Sequence, residues 1–211
     1  QLRLGLTKNV EYIDGGWATL VDALRRAADG AGARIVTGAR GAAIERDAIT
    51  GAARGVRRAD GAVQPASAVI VAADPHTVTG LIGEADRELA AWSAAAVPMQ
   101  MACLDVGLRA LPEPAKTLAF GFDRPLYLSV HSAVADLAPA GGAVIHVGKY
   151  FCADRAADPD DDRRELEGLL DPAKPGWRDL LVTSRFLPRM TVTGALLTAA
   201  GGGLAGRPAP A

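Results

Sequence analysis

Cysteine is nearly missing: Cys103 and Cys152 are the only two in 211 residues, and neither stands in a C-x-x-C pair. That excludes a disulfide scaffold, and the three histidines, His76, His131 and His146, show no zinc-ligand spacing with either thiol. No metal is expected. Two separated thiols fit a reducing, cytoplasmic setting, with a disulfide between them as the secondary reading. Charge of one sign is also lacking. The formal net charge is -1 with acids and bases interspersed, so there is neither a nucleic-acid footprint nor a polybasic membrane patch. No apolar run is long enough to cross a bilayer, and Gln1 to Leu6 lacks the basic and apolar segments of a signal peptide. No G-x-S-x-G elbow occurs, so Ser129, His131, Ser132 and Asp136, neighbours only in sequence, do not make a hydrolase.

What is present is an ordinary globular composition, 49% apolar, enough for one sizeable domain or two small ones. Basic residues are nearly all arginine and alanine is abundant, an association with GC-rich bacterial genomes. Val10 to Asp74 carries the clearest punctuation. After a Gly15-Gly16 turn, Trp17, Leu20, Val21, Leu24 and Ala28 recur at helical spacing, opposite Asp22, Arg25, Arg26 and Asp29. The spacing predicts an amphipathic helix with one buried face, ended by Gly30 and Gly32 and followed by a short strand at Ala33 to Val36. Arg40 to Glu45 and Ala52 to Arg58 read as strands, Asp60-Gly61 as a hairpin turn, and Ala68 to Ala73 as a strand buried on both faces and stopped by Pro75.

Further on, His76 to Ile82 and Ala85 to Ala95 read as short helices. Val97 to Leu108 alternates as a long strand, with Met99, Met101, Cys103 and Asp105 on one side. A meander follows at Thr117 to Phe122, Leu126 to His131 and Ala143 to Phe151. In its third strand Ala143, Ile145, Val147 and Lys149 share a face opposite Val144, His146, Gly148 and Tyr150. Asp158 caps a helix begun by Pro159 and running through Leu170. Its acidic run, Asp158 to Asp162, lacks calcium-loop spacing and reads as a solvated helix start beside Arg163 and Arg164. Leu180 to Leu187 reads as a returning strand.

The order of Gly15-Gly16-Trp17, the strand around Thr37-Gly38-Ala39-Arg40, Asp60-Gly61 and Val69 to Pro75 resembles the middle of flavin-dependent oxidoreductases of the phytoene desaturase and amine oxidase type. Pro125 to Ser132, Pro175-Gly176-Trp177-Arg178 and Arg185-Phe186-Leu187-Pro188 are similar to the phytoene dehydrogenase-like branch. The resemblance implies an α/β fold, of mixed α+β character: a partial FAD-binding domain with a mixed, mostly antiparallel substrate-binding sheet and flanking helices. It implies a partial FAD domain over 1–95, a substrate domain over 96–189 and a return segment with a flexible end over 190–211. Family members begin with a strand, a G-x-G-x-x-G turn and a helix holding the FAD pyrophosphate, and end with a second flavin-contacting stretch. This chain reads as an internal piece lacking both. Gly201 to Gly206 satisfies the glycine pattern literally, but Pro208 follows where a helix should, so it reads as a loop.

On the same resemblance, Arg40, Gly41, Ala72, Ala73 and Asp74 lie on the FAD side, Gly41 standing where relatives usually carry valine. Trp17, Met101, Tyr127 and His131 would line the pocket of an apolar, polyene or isoprenoid substrate, each with a plain core role as its alternative. The catalytic residue is unknown, since a flavin takes the hydride and asks the protein mainly for orientation and exclusion of water. An amine substrate is the rival within the class; it calls for an aromatic pair, and aromatics are 5% of the chain. The rival outside it is a non-catalytic binding module. Peripheral membrane contact and a homodimer through an exposed sheet edge are left open.

Overall fold

The computed structural model describes residues 11–83, 86–151 and 158–206. Among them the helices are α1 (Trp17–Gly30), α2 (Pro75–Ile82), α3 (Arg87–Ala95) and α4 (Pro159–Ala173). The strands are β1 (Gly41–Arg46), β2 (Ala53–Arg58), β3 (Val63–Pro65), β4 (Met99–Leu108), β5 (Leu118–Phe120), β6 (Leu126–Val130), β7 (Ala143–Tyr150) and β8 (Leu181–Thr193). The fold is mixed α/β. Two compact units result, residues 1–34 with 100–191 and residues 35–99 with 192–211, each drawn from two separated stretches of chain. Among the described residues no helix is long and apolar enough to cross a membrane.

The first unit is built on a five-stranded sheet, β5-β6-β7-β4-β8. β5 with β6, β6 with β7, and β7 with β4 pair antiparallel, and the β4–β7 ladder runs from Met101↔Tyr150 to Leu108↔Ala143. Because side chains alternate, this register puts Ala102, Leu104, Val106, Leu126, Leu128, Ile145 and Val147 on one face, all buried. Leu166 and Leu170 of α4, both 0% exposed, close that face together with Trp177. Each such leucine contributes about 1.5–3 kcal/mol of burial.

α4 starts where the sequence says it should. The Asp158 carboxylate accepts from the Asp160 and Asp161 amides, Pro159 takes the first turn, and acids complement the helix dipole. Asp162, however, is not solvated: it is 2% exposed and ion-paired with Lys149, the one cation on the core-facing side of β7. At the far end the Trp177 indole N–H donates to Asp171 at 2.8 Å, while Arg178 stacks over the ring at 4.5 Å and pairs with Glu167 at 2.7 Å. The Pro-Gly-Trp-Arg stretch is thus a lock on the end of α4. Lys174 is wholly buried, its ammonium donating to the Pro112 carbonyl at 3.0 Å and to that of Glu113 at 2.7 Å.

α1 forms at the expected place and ends as expected. Gly32, at φ 79°, lets the Ala33 amide reach back to Ala28 and its own amide to Asp29. Its apolar stripe is not buried as the spacing predicts: Trp17, Val21 and Leu24 are 74%, 57% and 63% exposed. Amphipathic spacing reports a face meant for contact and says nothing of what supplies it. The strand expected at Ala33 to Val36 is absent, and that segment is irregular and exposed.

In the second unit β1, β2 and β3 form an antiparallel sheet, with α2 against β1 and α3 against α2. The β1–β2 turn is fixed by Asp47, whose carboxylate accepts from the Ile49 and Thr50 amides and from Arg54. Hydrogen bonds of the Thr50 amide and hydroxyl, before that of Arg54, hold its pKa down to about 2. The doubly buried strand expected at Ala68 to Ala73 does not form. Backbone pairing with β2 ends at the Ala66 amide on the Arg54 carbonyl, and beyond it no described residue offers a ladder, leaving Ile70 96% exposed. Gly201 to Gly206 is a turn and a single 3-10 turn, not a strand-to-helix fingerprint. Cys152, Ala85, most of Leu2 to Tyr12 and the chain end from Arg207 lie outside the described residues.

Candidate functional site

The sheet face opposite the core of the first unit carries chemistry. Register places Asp105 beside His146, Cys103 beside Gly148 and Met101 beside Tyr150 across β4 and β7, with Tyr127 and Ser129 of β6 opposite Gly148 and His146. All share one side of the pleat. His146 Nδ1 lies 2.5 Å from the Asp105 carboxylate. The His131 ring stacks on that of His146, with centroids 5.4 Å apart and planes 18° apart, and Tyr12 tilts onto His131 at 4.8 Å. Tyr127 sits 5.4 Å from His146 and 5.8 Å from Tyr150. Among the expected pocket residues, Met101, Tyr127 and His131 therefore come together on one wall. Trp17 does not join them; it stands 74% exposed at the start of α1.

The wall exists because Gly148 has no side chain. A Cβ there would lie 2.3 Å from Met101 Cε and 2.6 Å from Tyr127 Cε1, so both side chains fold over the bare backbone. In front lies a cleft of about 540 Å³ whose lining includes Tyr12, Phe120, Arg124, Tyr127, His131 and Tyr150. A slightly larger cleft of about 600 Å³ in the second unit is bordered by Trp92, Leu196, Leu197 and the Gly201–Gly206 turn. Among the described residues it offers Glu88 as its one titratable lining residue, so the smaller cleft has the richer chemistry.

Burial governs protonation here. It raises the Tyr127 phenol far above its ordinary value, with Tyr150 adding to the effect, and pushes the Cys103 thiol up to about 11, helped by Asp105. Burial, then His146, lowers His131, against a smaller opposing pull from Asp105. At neutral pH the thiol, the phenol and His131 are uncharged, and the wall is an aromatic surface with polar atoms set into it. His146, Asp105, Tyr12 and Tyr150 escape a reading of the sequence. Alternation assigns each strand's faces, but only the register puts Asp105 opposite His146.

The residues expected on the cofactor side lie in the second unit. Gly41 opens β1 and faces Val56 and Leu81, where a Cβ would make ordinary contacts at 3.5 and 4.0 Å. Valine-sized packing is therefore replaced by neighbours from β2 and α2. The Arg40 carbonyl accepts from the Ala59 amide, while its side chain is exposed. Ala72 and Ala73 are exposed and lead into Asp74, whose carboxylate caps α2 by accepting from the Thr77 amide at 3.0 Å and its hydroxyl at 2.6 Å. Those hydrogen bonds hold Asp74 below the usual carboxylate range. Among the described residues no cluster of histidine, cysteine and carboxylates could hold a metal ion.

The same fold occurs in an oxidoreductase from Methanosarcina mazei, with TM-score 0.69 and 18% identity over 87% of this chain and 45% of that one. It recurs in reduced UDP-galactopyranose mutase, with TM-score 0.65 and 14% identity over 86% and 40%. A protein from Pyrococcus furiosus gives TM-score 0.59 and 16% identity over 82% and 43%. The likeness is one of fold. This chain spans less than half the length of each of these proteins. No family model and no curated protein matches the sequence.

Proposed function

We propose that this chain is the substrate-side sheet and part of the cofactor-side unit of an FAD-dependent oxidoreductase resembling phytoene desaturases, acting on an apolar, polyene or isoprenoid molecule. The observation that carries the reading is the fold shared with an oxidoreductase over 87% of the chain. The order of the sequence motifs and the meeting of Met101, Tyr127 and His131 on one wall support it. On this reading the second unit belongs with the cofactor and the sheet of the first with the substrate, in a bacterial, cytoplasmic protein.

The residues proposed for FAD fit it in part. Arg40 offers an exposed guanidinium for the anionic groups, and Gly41 a backbone that a flat ring can approach. Asp74 does not fit a diphosphate, because its carboxylate already caps α2 and would repel the anion. Bound FAD would supply the hydride acceptor; the chain's own part is to hold an apolar molecule on a surface from which water is excluded. The test is the visible absorption spectrum of the purified chain after incubation with excess FAD and desalting. A retained flavin band is the expected outcome for a form of the protein as long as its structural neighbours, and its absence there overturns the proposal.

A second reading, a non-catalytic module that pairs through its sheet edge, is favoured by one observation. The edge strand β5 exposes Leu118 and Phe120 at 55% and 70%, followed by the fully exposed Phe122. A concentration-dependent dimer in sedimentation, lost on Phe120→Lys, supports it; a monomer at all concentrations removes it.

A further inference from the structure

We propose that Lys174 is a latch that sets, from the end of α4, the position of the strand forming one side of the aromatic cleft. This goes beyond the proposed function, since it concerns how that side is held and requires neither a flavin nor a particular ligand.

The strand is β5, with the turns on either side of it spanning residues 112–125. It contributes Leu118, Phe120 and Gly121 to the cleft, alongside Tyr127, Ser129 and Tyr150. Little in β5 itself fixes it there. The strand is three residues long, lies at the edge of the sheet and, among the described residues, pairs with β6 alone. Leu118 and Phe120 are 55% and 70% exposed. Ala119 is the residue of β5 that packs against the core, and an alanine buries little apolar surface. Short edge pairings of this kind open at low free energy.

A buried amine supplies what the strand lacks. Lys174 follows α4 directly; its amide donates to the Leu170 carbonyl at 2.8 Å and its carbonyl accepts from the Trp177 amide at 3.1 Å, so its backbone is fixed on both sides. Its side chain is 0% exposed and donates to the Pro112 carbonyl at 3.0 Å and the Glu113 carbonyl at 2.7 Å. Burial lowers its pKa from the ordinary lysine value against an opposing pull from Glu113, so the place is unfavourable for a charge and the two carbonyls compensate it. Glu113 stands at φ 47°, the one non-glycine residue in the left-handed region among those described. That conformation is strained for a side chain and persists only where neighbours impose it. From there the path to the strand is short. The Lys116 amide donates back to the Glu113 carbonyl at 3.0 Å, and Thr117, next in the chain, accepts from the Val130 amide at 2.8 Å. The Glu113 carbonyl thus receives both the latch and the turn that launches β5. Lys174 is a positioning residue, since it acts on the cleft through this turn.

The test is backbone hydrogen exchange, read by NMR on the chain as it stands at several low urea concentrations. The Val130 amide is expected to exchange faster than the amides of the β4–β7 ladder and with little dependence on urea, the mark of a local opening. Lys174→Met keeps an unbranched apolar side chain and removes the donor. It should speed Val130 exchange about tenfold, the worth of the lost hydrogen bonds, and leave it insensitive to urea. Glu113→Gly adopts the left-handed turn without a latch. In the Lys174→Met background it should restore protection at Val130, and alone it should slow Val130 exchange about two- to fivefold. The single Glu113→Gly variant carries the test by itself if Lys174→Met does not fold. Val130 exchange that matches the β4–β7 amides in rate and urea dependence, exchange unchanged by Lys174→Met, or no protection gained from Glu113→Gly overturns the inference.

Discussion

Replacing Lys149 with methionine removes, among the described residues, the one buried cation at the junction between β7 and α4. Lys149 and Asp162 are each 3% exposed at the side chain, and the ammonium also lies 2.8 Å from Glu165. The second Asp162 oxygen makes no hydrogen bond with the described residues, so the ammonium is what compensates that carboxylate. Lys149→Met leaves an uncompensated acid under the sheet, for which about 3–5 kcal/mol is the expected loss. For a chain of this size that is a fall of about 6–20 °C in Tm. Urea unfolding followed by tryptophan fluorescence reads it, because Trp177 is 4% exposed beside α4 whereas Trp17 and Trp92 are 74% and 40% exposed. The control is the double variant Lys149→Met with Asp162→Leu. It removes both charges and keeps the volume apolar, and it is expected within about 1–2 kcal/mol of the parent. Glu165 retains Arg124 at 3.6 Å in that variant. A loss below about 1 kcal/mol for Lys149→Met, or a double variant no better than the single one, refutes the argument that the pair compensates a buried charge.

Gly148→Val should cost about 1–3 kcal/mol and displace Met101 and Tyr127, read as a lower urea midpoint together with loss of ring-current shifts around His146. Stability should fall on acidification: His131 is held below its ordinary value, so the unfolded chain binds the proton more readily and the benefit, complete above about pH 6.5, is lost as pH drops through the depressed folded value. Urea midpoints from about pH 7.5 to about pH 5 should decline in the parent and decline less in His131→Phe. Asp74→Ala removes the cap of α2 and should cost about 0.5–2 kcal/mol, seen as faster amide exchange at Thr77 and Val78.

Much of the frame is legible in the sequence because caps and alternation are local. Asp158-Pro159 and Gly32 mark helix ends by backbone chemistry that no distant contact overrides, whereas Asp74-Pro75, read as the stop of a strand, turns out to cap α2. The run from Met99 to Leu108 and the run from Ala143 to Tyr150 alternate strictly enough to name their faces. What alternation lacks is a partner. Ala68 to Ala73 has the composition of a central strand but, among the described residues, no neighbour to pair with, and composition does not report neighbours. Lys149 could have been flagged, since a charge sharing a face with Ala143, Ile145 and Val147 demands a counter-charge. Which acid answers it depends on how α4 lies across the sheet. The site suffers most from this limit, because the Asp105–His146 contact spans 41 residues of sequence and exists only through register.

The two units are interleaved along the chain, the first taking 1–34 and 100–191 and the second 35–99 and 192–211. During synthesis neither can be finished in one pass. When residue 99 leaves the ribosome, the second unit still awaits its closing segment and the first has only its α1 portion; the five-stranded sheet then needs almost the whole remaining chain before β8 reaches β4. Such nesting links assembly of the two units to a single late event, favours slow, non-local closure, and leaves no internal site where a cut would release a unit with all of its own residues.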